Sequence, residues 1–217
     1  MNSMKQKTAS ILLGLYMALF AAGSARAQQV TVKTVNSDSY IAIDNARIPS
    51  KARKTSAEVA STIDASTGVT VQHNDTEATN AKVSPYFIIA PTDTDINGVH
   101  SNNNNVDWSE AATSCRRYRG ISGTDEEGSW RPPTQRELEL IWVLTPKIKE
   151  VVTTRGIGFT FYDTYCTYWT STTFSEDINK AWHVDMNDGN TNTSEKLKAT
   201  SATTQIARYV RCIRDIK

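Results

Sequence analysis

The chain has 217 residues, 39% hydrophobic and 22% charged, and a formal net charge of +1. That length suits one ordinary domain with a smaller companion, and the near-balanced charge offers no basic surface of the kind nucleic acid requires. Three cysteines and the scattered histidines His73, His100 and His183 lack the clustered spacing of a zinc site.

Lys5 and Lys7 precede an apolar run over residues 11–22, and Ala25-Arg26-Ala27 follows with a small-x-small pattern. Residues 1–27 therefore read as a secretory signal peptide, too short and too weakly flanked for a membrane anchor. Its removal takes Lys5, Lys7 and Arg26 and no acid, leaving a net charge of −2. No cysteine near the cleavage site suggests a lipid anchor, and no later stretch resembles a transmembrane span. Export permits disulfides. Cys115, Cys166 and Cys212 allow at most one bridge within the chain and leave one thiol over.

Residues 28–82 hold neither Trp nor Cys. Residues 29–35 and 40–43 read as strands, 57–63 as at most a short helix, and 68–71 as a weak strand. Pro49 breaks the basic stretch 48–54. We expect a small β-rich or partly disordered N-terminal region here, too small to hold a core alone. Residues 83–90, with Tyr86-Phe87-Ile88-Ile89, are the strongest strand of this half, ended by Pro91. The expected divisions are thus 1–27, 28–82 and 83–217.

An asparagine-rich loop over 101–105 leads to Asp107, a helix N-cap with Glu110 at the reciprocal position. Trp108, Ala111, Ala112 and Cys115 then fall on one helical face up to about Tyr118. Arg116, Arg117 and Arg119 suit the negative end of that helix, and read as a solvated helix end rather than an anion site. Residues 120–129 form an acidic loop. Asp125, Glu126 and Glu127 could offer oxygens to calcium, but nothing fixes their geometry, and a mobile loop is expected.

Trp130-Arg131-Pro132-Pro133 leads rigidly into a second helix capped by Thr134 and Glu137. Leu138, Ile141 and Trp142 give it a broad apolar face. Pro146 is expected to stop or redirect it, with 147–152 as a further turn. Residues 165–172 have strand composition. In 181–186, Trp182, Val184 and Met186 alternate with His183 and Asp185. Asn187-Asp188-Gly189-Asn190 is a hairpin turn signal, residues 192–201 a polar return, and 208–213 a final strand carrying Cys212.

Five blocks in this order resemble the Lcl C-terminal-like domain family: Asp107-Trp108 with Ala111 and Cys115; Trp130-Arg131-x-Pro133-Thr134-x-x-Glu137-Leu138; Tyr168-Trp169-Thr170-Ser171-Thr172; Ala181-Trp182 with Val184-Asp185; and Val210-Arg211-Cys212-Ile213-Arg214-Asp215. The resemblance covers roughly residues 83–217 and finds no counterpart for 28–82. It implies an α+β, C-type-lectin-like fold, two helices on small antiparallel sheets, as found on bacterial secreted, surface and fimbria-associated proteins. It also implies a bridge from first helix to last strand, Cys115 to Cys212, with Cys166 as a buried free thiol. Pro132 departs from the pattern, which has Leu there, and stiffens the lead-in.

The resemblance implies an adhesin-like binding module for an extracellular glycan, glycosaminoglycan or matrix ligand, at the cell surface, in the periplasm or outside the cell. Trp169, His183, Asp185, Asn187, Asp188 and Asn190 are its candidate ligand residues, because aromatic faces stack on sugars while amides and carboxylates bond hydroxyls. Trp108, Trp130, Trp142 and Trp182 read as core. Glu-Pro-Asn and Gln-Pro-Asp sugar motifs are absent, so calcium has no motif behind it and no cofactor is expected. The alternative is an accessory or tip subunit of a fimbria, with its N-terminal strands pairing with other subunits. An enzyme of the formylglycine-generating type would need a cysteine pair or copper site. A Cys166–His183 nucleophile and base is the least favoured reading, and no catalytic residue is expected.

Overall fold

A computed structural model of the chain describes residues 29–55, 82–99, 106–161, 166–196 and 208–216. The readings at 1–27, 57–63, 68–71 and 101–105, with His73 and His100, fall outside these residues. Strands β1 (Gln29–Val35), β2 (Asp38–Asp44) and β3 (Tyr86–Ile89) are followed by helices α1 (Trp108–Arg117) and α2 (Gln135–Arg155). Then come β4 (Thr167–Thr173), β5 (Lys180–Asp185), β6 (Thr191–Glu195) and β7 (Ile213–Asp215). A 3-10 turn lies at Ser50–Ala52. The class is α+β, with two antiparallel sheets in the orders β1-β2-β3-β7 and β4-β5-β6.

The four-stranded sheet is covered on both faces. Tyr40 and Ala42 of β2 join a core with Trp108, Cys115 and Trp130, while Ile41 and Ile43 join a second core with Leu138, Ile141 and Ile148 of α2. Double burial is why β2 and β3 read as unbroken apolar runs rather than alternations. Pairing of β2 with β3 places β1 and β2 in one sheet with β3 and β7, so a single sheet holds residues from both sides of the division expected at 82 and 83. Asn36 and Ser37 close the β1–β2 hairpin with φ of 48° and 73°, as a two-residue primed turn requires.

Both predicted capping boxes form. Asp107 accepts from the Glu110 amide, Thr134 accepts from the Glu137 amide, and each glutamate reaches back to its cap residue. Each box satisfies two amides that a helix start leaves orphaned. Pro146 does not stop α2, which runs on to Arg155 and ends in a left-handed Gly156. The proline lies on an exposed position, while Ile148, fully buried, holds the following turn in the second core. Burial of that turn outweighs the lost backbone hydrogen bond.

Residues 208–212 do not form the expected last strand. Arg208 and Tyr209 instead make single bridges to Val106 and Tyr168, and only then does β7 begin. This segment passes from the three-stranded sheet to the four-stranded one. Cys212 is bonded to Cys115, closing 97 residues of sequence separation, and Cys166 is a buried thiol outside any disulfide. Closing a loop of that size constrains the unfolded chain by up to about 4–5 kcal/mol in the entropy model.

Candidate functional site

The residues around Trp130 form an ionic knot inside the scaffold. Arg131 is fully buried and donates to both Glu137 oxygens (2.7 and 2.9 Å) and to both Asp215 oxygens (2.8 and 2.8 Å). Glu137 also accepts the Ser84 and Thr134 amides, each at 2.9 Å, with Lys54 Nζ 4.0 Å away. Burial alone would raise the Glu137 pKa, but Arg131, Lys54 and these donors together hold it well below the carboxylate range. Local spacing shows Glu137 only as the cap partner of Thr134.

Asp125 is likewise committed to structure. Trp130 Nε1 donates to its Oδ2, Asn36 Nδ2 to its Oδ1, and Arg214 pairs with it, each at 2.8 Å. It is therefore a fixed anchor and not part of a mobile acidic loop, although Glu126 and Glu127 are exposed. Among the described residues no cluster of His, Cys, Asp and Glu could hold a metal ion.

The candidate ligand residues separate into two groups. Trp169 is fully buried, with Nε1 donating to the Val106 carbonyl at 2.9 Å, so its face is closed to a sugar. His183 packs edge-on against it, with centroids 6.1 Å apart, half-buried below Arg208. Arg208 Nη2 lies 3.2 Å from His183 Nε2 and 2.7 Å from Ser194 Oγ, and its guanidinium sits 4.7 Å over the Trp169 ring. Burial, then Arg208, depresses the His183 pKa to about 4, so the ring stays neutral and accepts.

Asp185, Asn187, Asp188 and Asn190 belong to the β5–β6 turn. Asp185 Oδ1 accepts the Asn187 amide at 2.8 Å and Asp188 Oδ1 accepts the Asn190 amide at 2.9 Å. Both carboxylates thus fix the turn, and Asn187 is exposed. Trp142, expected in the core, is half-exposed against this turn. Cys166 and His183 are no dyad. Trp169 pairs with His183 and Tyr168 with Val184, so strand alternation puts Cys166 on the face opposite His183.

A broader groove lies elsewhere, at the C-terminal ends of both helices. It encloses about 1,030 Å³ between the β1–β2 turn, residues 117–123 and residues 155–160. Arg117 and Arg119 come from the end of α1 and Arg155 from the end of α2. Their charges complement the negative helix ends. The Ile96 carbonyl fixes Arg117 (3.0 Å) and the Asp125 carbonyl fixes Arg119 (3.0 Å). Asp38, the acid of the lining, is taken by the Ser122 amide (2.8 Å) and hydroxyl (2.9 Å). Val99 and Ile121, 58% and 52% exposed, give the rim apolar surface. Arg117 and Arg119 were visible in the sequence as a solvated helix end. Nothing local linked them to Arg155.

The sequence model of the Lcl C-terminal domain matches residues 60–214. The chain therefore belongs to the Lcl C-terminal domain family, and the match starts upstream of the blocks on which the resemblance was read. No curated protein matches the chain.

Proposed function

We propose that this member of the Lcl C-terminal domain family is an exported, non-enzymatic binding module. It holds an acidic polysaccharide, of glycosaminoglycan type, in the groove at the ends of α1 and α2. The family, as a family of secreted and surface proteins, supports export, and no described helix is long and apolar enough to cross a membrane. The observation that carries the ligand reading is the convergence of Arg117, Arg119 and Arg155 on one broad groove whose acid, Asp38, is already bonded. Guanidinium groups fixed by backbone carbonyls present a fork that carboxylate and sulfate groups match. The opposed faces of Cys166 and His183 support a reading without nucleophilic chemistry.

The test is a glycan and glycosaminoglycan array probed with residues 28–217, with and without calcium. Acidic polymers are expected to be retained regardless of calcium. Arg117→Ala with Arg155→Ala is expected to weaken retention at least about tenfold, and to flatten its salt dependence. An array that retains no acidic glycan defeats the reading.

The place of β1 at the edge of its sheet among the described residues favours a second reading, an accessory subunit of a surface fibre that accepts a partner strand. Co-purification with fibre subunits, lost when Val32→Pro blocks that edge, would favour it over glycan binding.

A further inference from the structure

We propose that the hollow between the middle of α2 and the β5–β6 turn is a second ligand site, and that it takes a neutral pyranose ring. It encloses about 360 Å³ and is lined by Trp142, Pro146, Lys149, Met186 and Asn187, with Val143 beside them. That volume lies at the lower end of the roughly 300–1,000 Å³ span of small-ligand pockets.

The turn and the indole are built for each other. A Cβ at Gly189 would lie 2.7 Å from two Trp142 ring atoms, and Gly189 sits at φ +77°. Only glycine meets both demands, and it lets the turn backbone lie against the ring and fix it. The Asp185 carboxylate holds the Asn187 amide nitrogen at 2.8 Å, so the position of Asn187 is set before any ligand arrives. No partner among the described residues engages the Trp142 indole N–H or the Asn187 side-chain amide. Val143, 60% exposed, and Pro146, also exposed, extend the apolar surface at the edge of the hollow.

A pyranose has a C–H face and a hydroxyl rim. An indole with Pro146 and Met186 matches the face, and an amide that both donates and accepts matches the rim. The lining holds no acid, and its one cation, Lys149, lies 5.3 Å over the Phe161 ring. Neutral sugar therefore suits it better than the acidic polymer of the arginine groove, and the site does not depend on that groove.

Saturation-transfer NMR with methyl glucoside, galactoside, mannoside and N-acetylglucosaminide tests it on residues 28–217. At least one pyranoside is expected to receive saturation. The signal should fall at least about tenfold in Trp142→Ala and in Asn187→Ala, and stay unchanged in Arg155→Ala. Asn187→Ala, an exposed change, keeps the test valid if Trp142→Ala unfolds. Absence of transfer to all four sugars overturns the proposal, as does transfer that survives Asn187→Ala or is lost in Arg155→Ala.

Discussion

Arg131 is buried and Arg208 half-buried, and the protein treats the two guanidinium groups in opposite ways. Arg131 has two carboxylates and all its bonds lie inside the scaffold. Asp215 and Glu137 outweigh the burial that would otherwise lower its pKa, and drive it upward. Arg208 has no carboxylate partner among the described residues. It rests on the Trp169 ring, bonds to a hydroxyl and a neutral histidine, and keeps Nε unbonded. Burial lowers its pKa to about 10. The densest motif of the chain is therefore a closed electrostatic unit with nothing left for a ligand. Among the described residues, an arginine without a carboxylate partner sits at the sheet corner, and three arginines against one acid line the groove.

The largest effect should come from breaking the closed unit. Glu137→Gln keeps the shape of the side chain but leaves Arg131 with one carboxylate and weakens the acceptor for the Ser84 amide. Removing one partner of a buried ion pair costs about 3–5 kcal/mol. Urea unfolding of Glu137→Gln should show that loss with an unchanged m-value. A change within about 1 kcal/mol would mean that the knot is replaceable and the contrast with Arg208 empty.

Arg208→Met should cost less. The substitution gives up a stacking contact and a pair of half-buried hydrogen bonds to neutral acceptors, on the order of 2–3 kcal/mol together, and removes a charge that has no carboxylate partner among the described residues. The same urea titration sharpens the comparison. A loss equal to that of Glu137→Gln would show that Arg208 is as deeply committed as Arg131.

What the sequence disclosed follows the range of each interaction. Both capping boxes were legible because cap and reciprocal residue lie three positions apart. The second task of Glu137 was not, because Ser84, which donates to it, arrives from the segment just before β3, and Asp215, which shares Arg131 with it, arrives from β7. Tryptophans show the same limit. Trp169 looked like a stacking face and Trp142 like core, yet β4 pairing buries the first and the β5–β6 turn leaves the second half-open. Local pattern names a residue as large and aromatic, and only the packing of other elements decides whether its face meets water. Pro146 is similar, since its local tendency lost to the burial of Ile148.

The smallest effect is a pH slope that belongs to the Arg208 corner alone. His183 has a folded pKa of about 4, against about 6.5 when unfolded. Between those values the unfolded chain binds a proton that the folded chain refuses, so stability is full above about pH 6.5 and falls as the pH drops toward 4. Glu137 acts below this window, since its carboxylate contribution is lost only under the unfolded carboxylate pKa and beyond. Asp93, raised by burial despite Arg211, works in the opposite sense, because its folded form takes a proton more readily. Both are present in His183→Gln, so the difference between wild type and variant isolates the imidazole. Thermal melts from pH 7 to 4 should lose a few degrees more in wild type than in His183→Gln. Parallel profiles would mean that His183 accepts its proton without penalty, and that Arg208 carries no electrostatic pressure on its neighbour.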